Sequence, residues 1–219
     1  MIISHPAFSE PIELCENKNT VLALENKNFF RSFLLDLKNQ INGESGEIVI
    51  SENYEPINLK YICLISDFIS IDLNEKSILN KVYSDLISIS ENDVSEETEE
   101  FKSNALNYFS ALISQSEIEL SFDDIDILNF LKSLKIRVDE SDTFLEKIID
   151  LIKIYTFMFG YKLIVFVNLK EFVSENELSE IYKYCNYNKI NILLIESFQK
   201  NALPNEKLII IDDDLCEIY

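Results

Sequence analysis

The sequence predicts an α/β fold: a head on a largely parallel sheet, with an inserted α-helical leg. Three observations predict it. Four short apolar runs, 20–24 (TVLAL), 161–168 (YKLIVFVN), 191–195 (NILLI) and 207–211 (KLIII), have the length and uniform character of strands buried on both faces. Segments with helical apolar spacing lie between most of them, and such alternation implies a parallel sheet covered on both sides. Residues 61–125 differ in character, with helical patterns and three basic against fourteen acidic residues, −11 of a total net charge of −20.

In chain order, 11–14 is a short strand and 20–24 a buried one. Asn28 is placed to cap a helix whose apolar side is Phe29, Phe30, Phe33, Leu34, Leu37 and Ile41, ending near Gly43. Residues 47–51 (EIVIS) form a brief strand. Three helical patterns follow: 58–69 (NLKYICLISDFI), 77–90 (SILNKVYSDLISIS) and 99–114 (EEFKSNALNYFSALIS). An acidic, polar break at 91–100 separates the last two. Their acids suit a solvated face that keeps the protein soluble.

The stretch 116–140 (SEIELSFDDIDILNFLKSLKIRVDE) opens with Glu117, Glu119, Asp123, Asp124 and Asp126 and turns basic at Lys132, Lys135 and Arg137. Ile118, Leu120 and Phe122 alternate with Glu117, Glu119 and Ser121, the period of a half-buried strand. From Asp126 the spacing becomes helical through Ile127, Leu128, Phe130, Leu131 and Leu134. Asp142 or Thr143 then caps a helix carrying Phe144, Ile148, Ile149, Ile152, Tyr155 and Phe159, closed by Gly160. Ser174 and Glu177 have the spacing of a capping box at the start of the next helix. The expected division is a head over 1–60 and 117–219 and a leg over 61–116.

Composition excludes several classes. At −20 the chain does not attract nucleic acid through its average field, so any phosphate-binding surface must be a local patch. Cys15, Cys63, Cys185 and Cys216 lack CxxC spacing, and with His5 as the sole histidine they form no zinc set. They read as reduced thiols, and His5 as a surface or turn residue. The opening MIISHPAFSEPIEL has neither the basic nor the long apolar segment of a secretory leader, and no run reaches the length of a membrane span, which predicts an intracellular, cytoplasmic protein.

Catalytic motifs are also missing. The connection Glu25-Asn26-Lys27-Asn28 has no glycine and is too short for a phosphate-binding loop, and the run YKLIVFVN ends in Asn168 where a magnesium-holding acid would stand. There is no GxSxG, and the run Asp212, Asp213, Asp214 reads as a polar turn. Glu119, Asp123, Asp124 and Asp126 have two readings, as caps and solvating groups or as oxygen ligands for a hard cation. The segment is not an EF-hand, lacking the glycine and the final glutamate of that loop.

The run IELSFDDIDILNFLKSLKIRVDESDTFLEKIIDLIKIY, then KLIVFVNLKEFVSENELSEIYKY and NILLIE, resembles the small adaptation protein of type II-A CRISPR systems in its short form. ALENKNFFRSF, before and into the first helix, is similar too. The resemblance covers nearly the whole chain and is weakest over 75–115. It implies a nucleoside-triphosphatase-like head, an inserted helical leg, and a homotetrameric ring enclosing a positive channel for double-stranded DNA ends. It further implies calcium ions that stabilise the ring, no ATPase or nuclease activity, and a role in spacer acquisition for antiviral defence. Implied partners are the CRISPR integrase proteins and the effector nuclease. Carried over by position, Glu119, Asp123 and Asp124 become calcium ligands, Asp126 joins them as a neighbour, and Asp139 is a further addition. Ser121 and Asn129 stand where relatives often carry acids, so the ion count stays open. Lys27, Arg31, Lys38, Lys132, Lys135 and Arg137 are the DNA-contact candidates. Two alternatives remain: a nucleotide hydrolase of phosphate-loop-like fold, and a scaffold that binds only proteins.

Overall fold

In the computed structural model, residues 1–14, 18–139 and 141–218 are described. Cys15, one of the four thiols, lies outside them. The chain divides into two compact units, Met1–Ile71 with Ser141–Tyr219, and Asp72–Glu140. It begins with β1 (Ile2–Ser4), β2 (Ile12–Glu13), β3 (Asn19–Leu24), α1 (Lys27–Ile41), β4 (Val49–Glu52), β5 (Glu55–Pro56) and β6 (Ile62–Ile65). The second unit contributes α2 (Lys76–Asn92), α3 (Ser95–Ile113) and α4 (Ile127–Ser133). The chain then runs through α5 (Phe144–Lys153), β7 (Leu163–Val167), α6 (Glu175–Tyr187), β8 (Asn191–Glu196), β9 (Glu206–Ile211) and β10 (Glu217–Ile218). It is a mixed α/β protein with six α-helices among the described residues.

A six-stranded sheet in the order β10-β9-β3-β8-β7-β6 forms the centre of the first unit. Its strands are parallel except β10. Every residue of β3 and of β7 is buried, as continuous apolar runs require when both faces are covered. A smaller antiparallel sheet, β2-β1-β4-β5, packs Ile3, Ile12 and Ile50 into one core with Leu22, Leu163 and Ile209.

Helix α1 buries Phe33 and Leu37, with Phe29, Phe30, Leu34 and Ile41 packed against the same core, as their spacing predicts. Its cap, however, is Asn26 rather than Asn28. The Asn26 backbone is extended, and its side-chain oxygen accepts from Asn28 N at 3.1 Å and Phe29 N at 3.0 Å. Helix α5 starts at a capping box of Thr143 and Glu146 and buries Ile148, Leu151 and Ile152, each contributing about 1.5–3 kcal/mol by leaving water. The Ser174–Glu177 capping box opens α6 as expected. His5 is a turn residue, but its ring is packed among Phe8, Phe29 and Phe33 rather than on the surface, and this burial lowers its pKa.

Three expectations are corrected. Residues 58–69 are not helical: a single 3-10 turn over Leu59–Tyr61 leads into β6, which pairs with β7. A short apolar run satisfies either period, and pairing to the sheet edge decides for the strand. The alternating residues 118–122 form no strand, because no neighbouring strand pairs with them, and Ile118, Leu120 and Phe122 stay 68%, 50% and 44% exposed. Residues 61–71 belong with the first unit and 117–139 with the second, whereas the sequence-based division put both groups the other way.

Candidate nucleic-acid interface and metal-ligating residues

Helix α1 presents Lys27, Arg31 and Lys38 on one side. At about 100° per residue the three lie within about 40° of each other around the axis and span roughly 16 Å along it. All three are exposed, on the side away from Phe33 and Leu37. The helix has one acid, Asp36, and its carboxylate is engaged by Gln40 Nε2 and Glu47 N, both at 3.0 Å. The helix itself therefore places no acid beside the three cations, in a strongly negative chain. Lys132, Lys135 and Arg137 are likewise exposed, in the second unit. Lys132 sits in the last turn of α4, where a cation complements the helix dipole. Lys135 follows the helix in a left-handed conformation, φ 53°. None of these six basic residues makes an ion pair with another described residue.

Of the metal candidates, Asp126 is a helix cap. One of its carboxylate oxygens accepts from Asn129 N at 3.1 Å and the other from Asn129 Nδ2 at 2.8 Å. Asp124 accepts from Ile125 N at 2.7 Å. Glu119, Asp123 and Asp139 are exposed. Among the described residues no three acidic, histidine or cysteine side chains are gathered as a metal ion requires. The residues do not form a ready-made calcium set, and a bound ion would have to draw 117–126 around itself.

Because Asp126 caps α4, Asp126→Ala is expected to cost about 1 kcal/mol locally. Amide exchange at Asn129 and Phe130 should accelerate while α2 and α3 keep their protection. Unchanged exchange at Asn129 would show the cap to be energetically idle.

Two features of the second unit escaped the sequence reading. Asn74 clamps the backbone of Val138, its Oδ1 accepting from Val138 N at 2.8 Å and its Nδ2 donating to Val138 O at 3.1 Å. Helix α3 buries none of its residues, and Tyr108, Phe109 and Leu112 are 62%, 44% and 49% exposed. The acids of α3 all fall within residues 96–100, and the apolar residues from Phe101 to Ile113 do not by themselves mark which side stays uncovered.

In the first unit, the C-terminal end of β3 is where such a sheet would hold a nucleotide phosphate. Here Asn26 occupies the first amides of α1, and its Nδ2 donates to Asp213 O at 2.8 Å. Asn168, after β7, is left-handed and ties that strand end to Ser197 N at 2.7 Å. Under α6 lies a buried polar network. Lys170 Nζ meets Glu206 Oε2 at 2.7 Å, with side chains 6% and 0% exposed. Tyr182 OH donates to Glu206 Oε1 at 2.6 Å, and burial beside that carboxylate holds the phenol far above its ordinary range. Glu196, at the end of β8, accepts from Lys170 N at 3.2 Å, and burial pushes its carboxyl up to about 7. Cys63 and Cys185 are free thiols pushed up to about 12 by burial, and Cys216 is free and exposed. No described helix is long and apolar enough to cross a membrane.

Residues 40–215 match the family model described as CRISPR-associated protein (Cas_Csn2). The chain is 24% identical to the CRISPR-associated protein Csn2 of Streptococcus agalactiae, over 92% of this chain and 91% of that one. It is 22% identical to the CRISPR-associated protein Csn2 of Enterococcus faecalis, over 100% of this chain and 99% of the relative. A match through the head strands and the inserted helices alike, at nearly equal lengths, places the chain in the Csn2 family of type II-A CRISPR-associated proteins.

Proposed function

We propose that this Csn2-family protein binds double-stranded DNA ends without catalysis during spacer acquisition, as a calcium-stabilised homotetrameric ring with DNA in its channel. The first unit is then a nucleoside-triphosphatase-like head and the second its leg. The observation that carries the DNA reading is the stripe of Lys27, Arg31 and Lys38 on α1, free of acids on its own side. Contacts of this kind reach phosphates and give sequence-independent, salt-sensitive binding. Lys132, Lys135 and Arg137 form a second candidate group. Integrase proteins and the effector nuclease are the proposed partners, in the cytoplasm.

Self-association is supported by α3, which leaves Tyr108, Phe109 and Leu112 exposed. Calcium is proposed as a ligand of the assembly, held by Glu119, Asp123 and Asp124, since calcium accepts oxygen ligands in flexible geometry. A nucleotide hydrolase is disfavoured by Asn26, which fills the amides that a phosphate would need.

The test is binding of linear and closed circular duplex across a salt series, with light scattering in calcium and in chelator. Linear duplex should be preferred, and the triple variant Lys27→Ala, Arg31→Ala, Lys38→Ala should flatten the salt slope by roughly one per lost contact. Asp123→Ala with Asp124→Ala should lower the mass in calcium. Equal binding of circles, or an unchanged slope in the triple variant, would overturn the DNA reading. A ring that assembles without DNA affinity would make the protein a scaffold.

A further inference from the structure

The first unit contains a cavity at the opposite end of the strands from the C-terminal end of β3. It lies where β3 and β8 begin, has a volume of about 480 Å³, and is lined by Lys18, Asn19, Asn53, Asn186, Lys189 and Asn191 among others. That is larger than a bare ion needs and within the range of small-molecule sites.

Asn19 is 4% exposed, and its carboxamide nitrogen has no acceptor among the described residues. A buried donor left unpaired is costly, and groups of this kind in folded proteins are usually paired with a protein group, an ordered water or a ligand. Lys18 and Lys189 are the cationic residues of the lining, both exposed, and neither makes an ion pair with a described residue. Glu52 also lines the cavity, but its carboxylate is held by Lys162 at 2.8 Å. Asn191 spends its Nδ2 on Lys162 O at 3.2 Å, which leaves its carbonyl oxygen for a hydroxyl or amino group. Asn53, φ 52°, belongs to the two-residue turn of the β4–β5 hairpin, and Lys189, φ 55°, follows the C-cap of α6, so turn and helix end together form this part of the wall.

We propose that this cavity is a binding site for a small phosphate monoester of nucleoside monophosphate size. The phosphate sits between Lys18 and Lys189 and accepts from Asn19 Nδ2, and the remainder of the molecule meets the asparagine amides. Two lysines with a neutral buried donor suit a dianionic head group, and the carboxamides suit a polar body.

The test uses the full chain. Titration with adenosine monophosphate, and with inorganic phosphate alone, is followed by calorimetry and by the side-chain amide signal of Asn19. Saturable binding that shifts the Asn19 amide is expected, tighter for the nucleotide than for phosphate. Lys18→Ala with Lys189→Ala changes only exposed residues and should weaken it at least about tenfold at unaltered thermal stability. A short 5′-phosphorylated oligonucleotide serves as a separate arm: competition assigns the site to a phosphorylated DNA end, and its absence to a free nucleotide. No perturbation of the Asn19 amide at millimolar ligand, or binding that the double variant leaves intact, would overturn the proposal.

Discussion

Lys170→Met is expected to destabilise the protein by about 3–5 kcal/mol, a large share of the roughly 5–15 kcal/mol that holds a typical domain together. The loss comes less from the missing attraction than from what remains. Glu206, with its side chain fully buried, keeps Tyr182 OH at 2.6 Å and Leu203 N at 2.8 Å but has no countercharge. An uncompensated carboxylate under α6 must ionise at high cost or take up a proton and disturb the tyrosine bond. Adding Glu206→Gln should recover most of the loss, because the neutral pair carries no desolvated charge. Denaturant unfolding of the two single variants and the double one gives the coupling directly. If Lys170→Met unfolds within about 1 kcal/mol of the parent, the pair is hydrated and the argument fails.

The second large effect concerns pH. Burial raises the Glu196 carboxyl from 4.5 to about 7, against the opposing pull of the Lys170 amide and of Lys170 and Lys200. A group whose folded value lies above its unfolded value contributes full stability below the unfolded value and loses it as pH rises through the folded one. Glu196 is therefore expected to cost the native state roughly 3 kcal/mol between pH 4.5 and pH 8. Glu196→Gln, neutral throughout, should be more stable than the parent at pH 8 and should lose that advantage at pH 5. Lys170, Glu171, Lys200 and Tyr182 interact with this carboxyl, so the comparison must be made against the parent at each pH. Parallel stability curves for the two proteins would mean that Glu196 is ionised in the fold.

Much of the head was legible because its strands are buried on both faces. TVLAL, LIVFV and NILLIE admit few other readings, and the capping box at Ser174 marks its helix by local chemistry alone. Residues 62–65 were not legible as β6, since ICLI fits a helix until the free edge of β7 is there to pair with it. Alternation at 118–122 misled for the converse reason: a strand exists only with a neighbour, and none of the described strands reaches it. The Lys170–Glu206–Tyr182 network joins residues 36 and 24 positions apart, so only topology assembles it. The basic stripe on α1 was named residue by residue, but its common face depended on where the helix began.

That beginning has one more consequence. The Asn26 carboxamide behaves as a tethered inhibitor of its own helix end: it binds the same two amides that an anion would seek, and it is never diluted. A phosphate from solution competes with a group held at its target by the chain itself, while the Asp213 carbonyl pins that group from behind. The amides at this end of the sheet are therefore engaged from within the chain, and an anion could reach them only by displacing a group bound next to them in sequence.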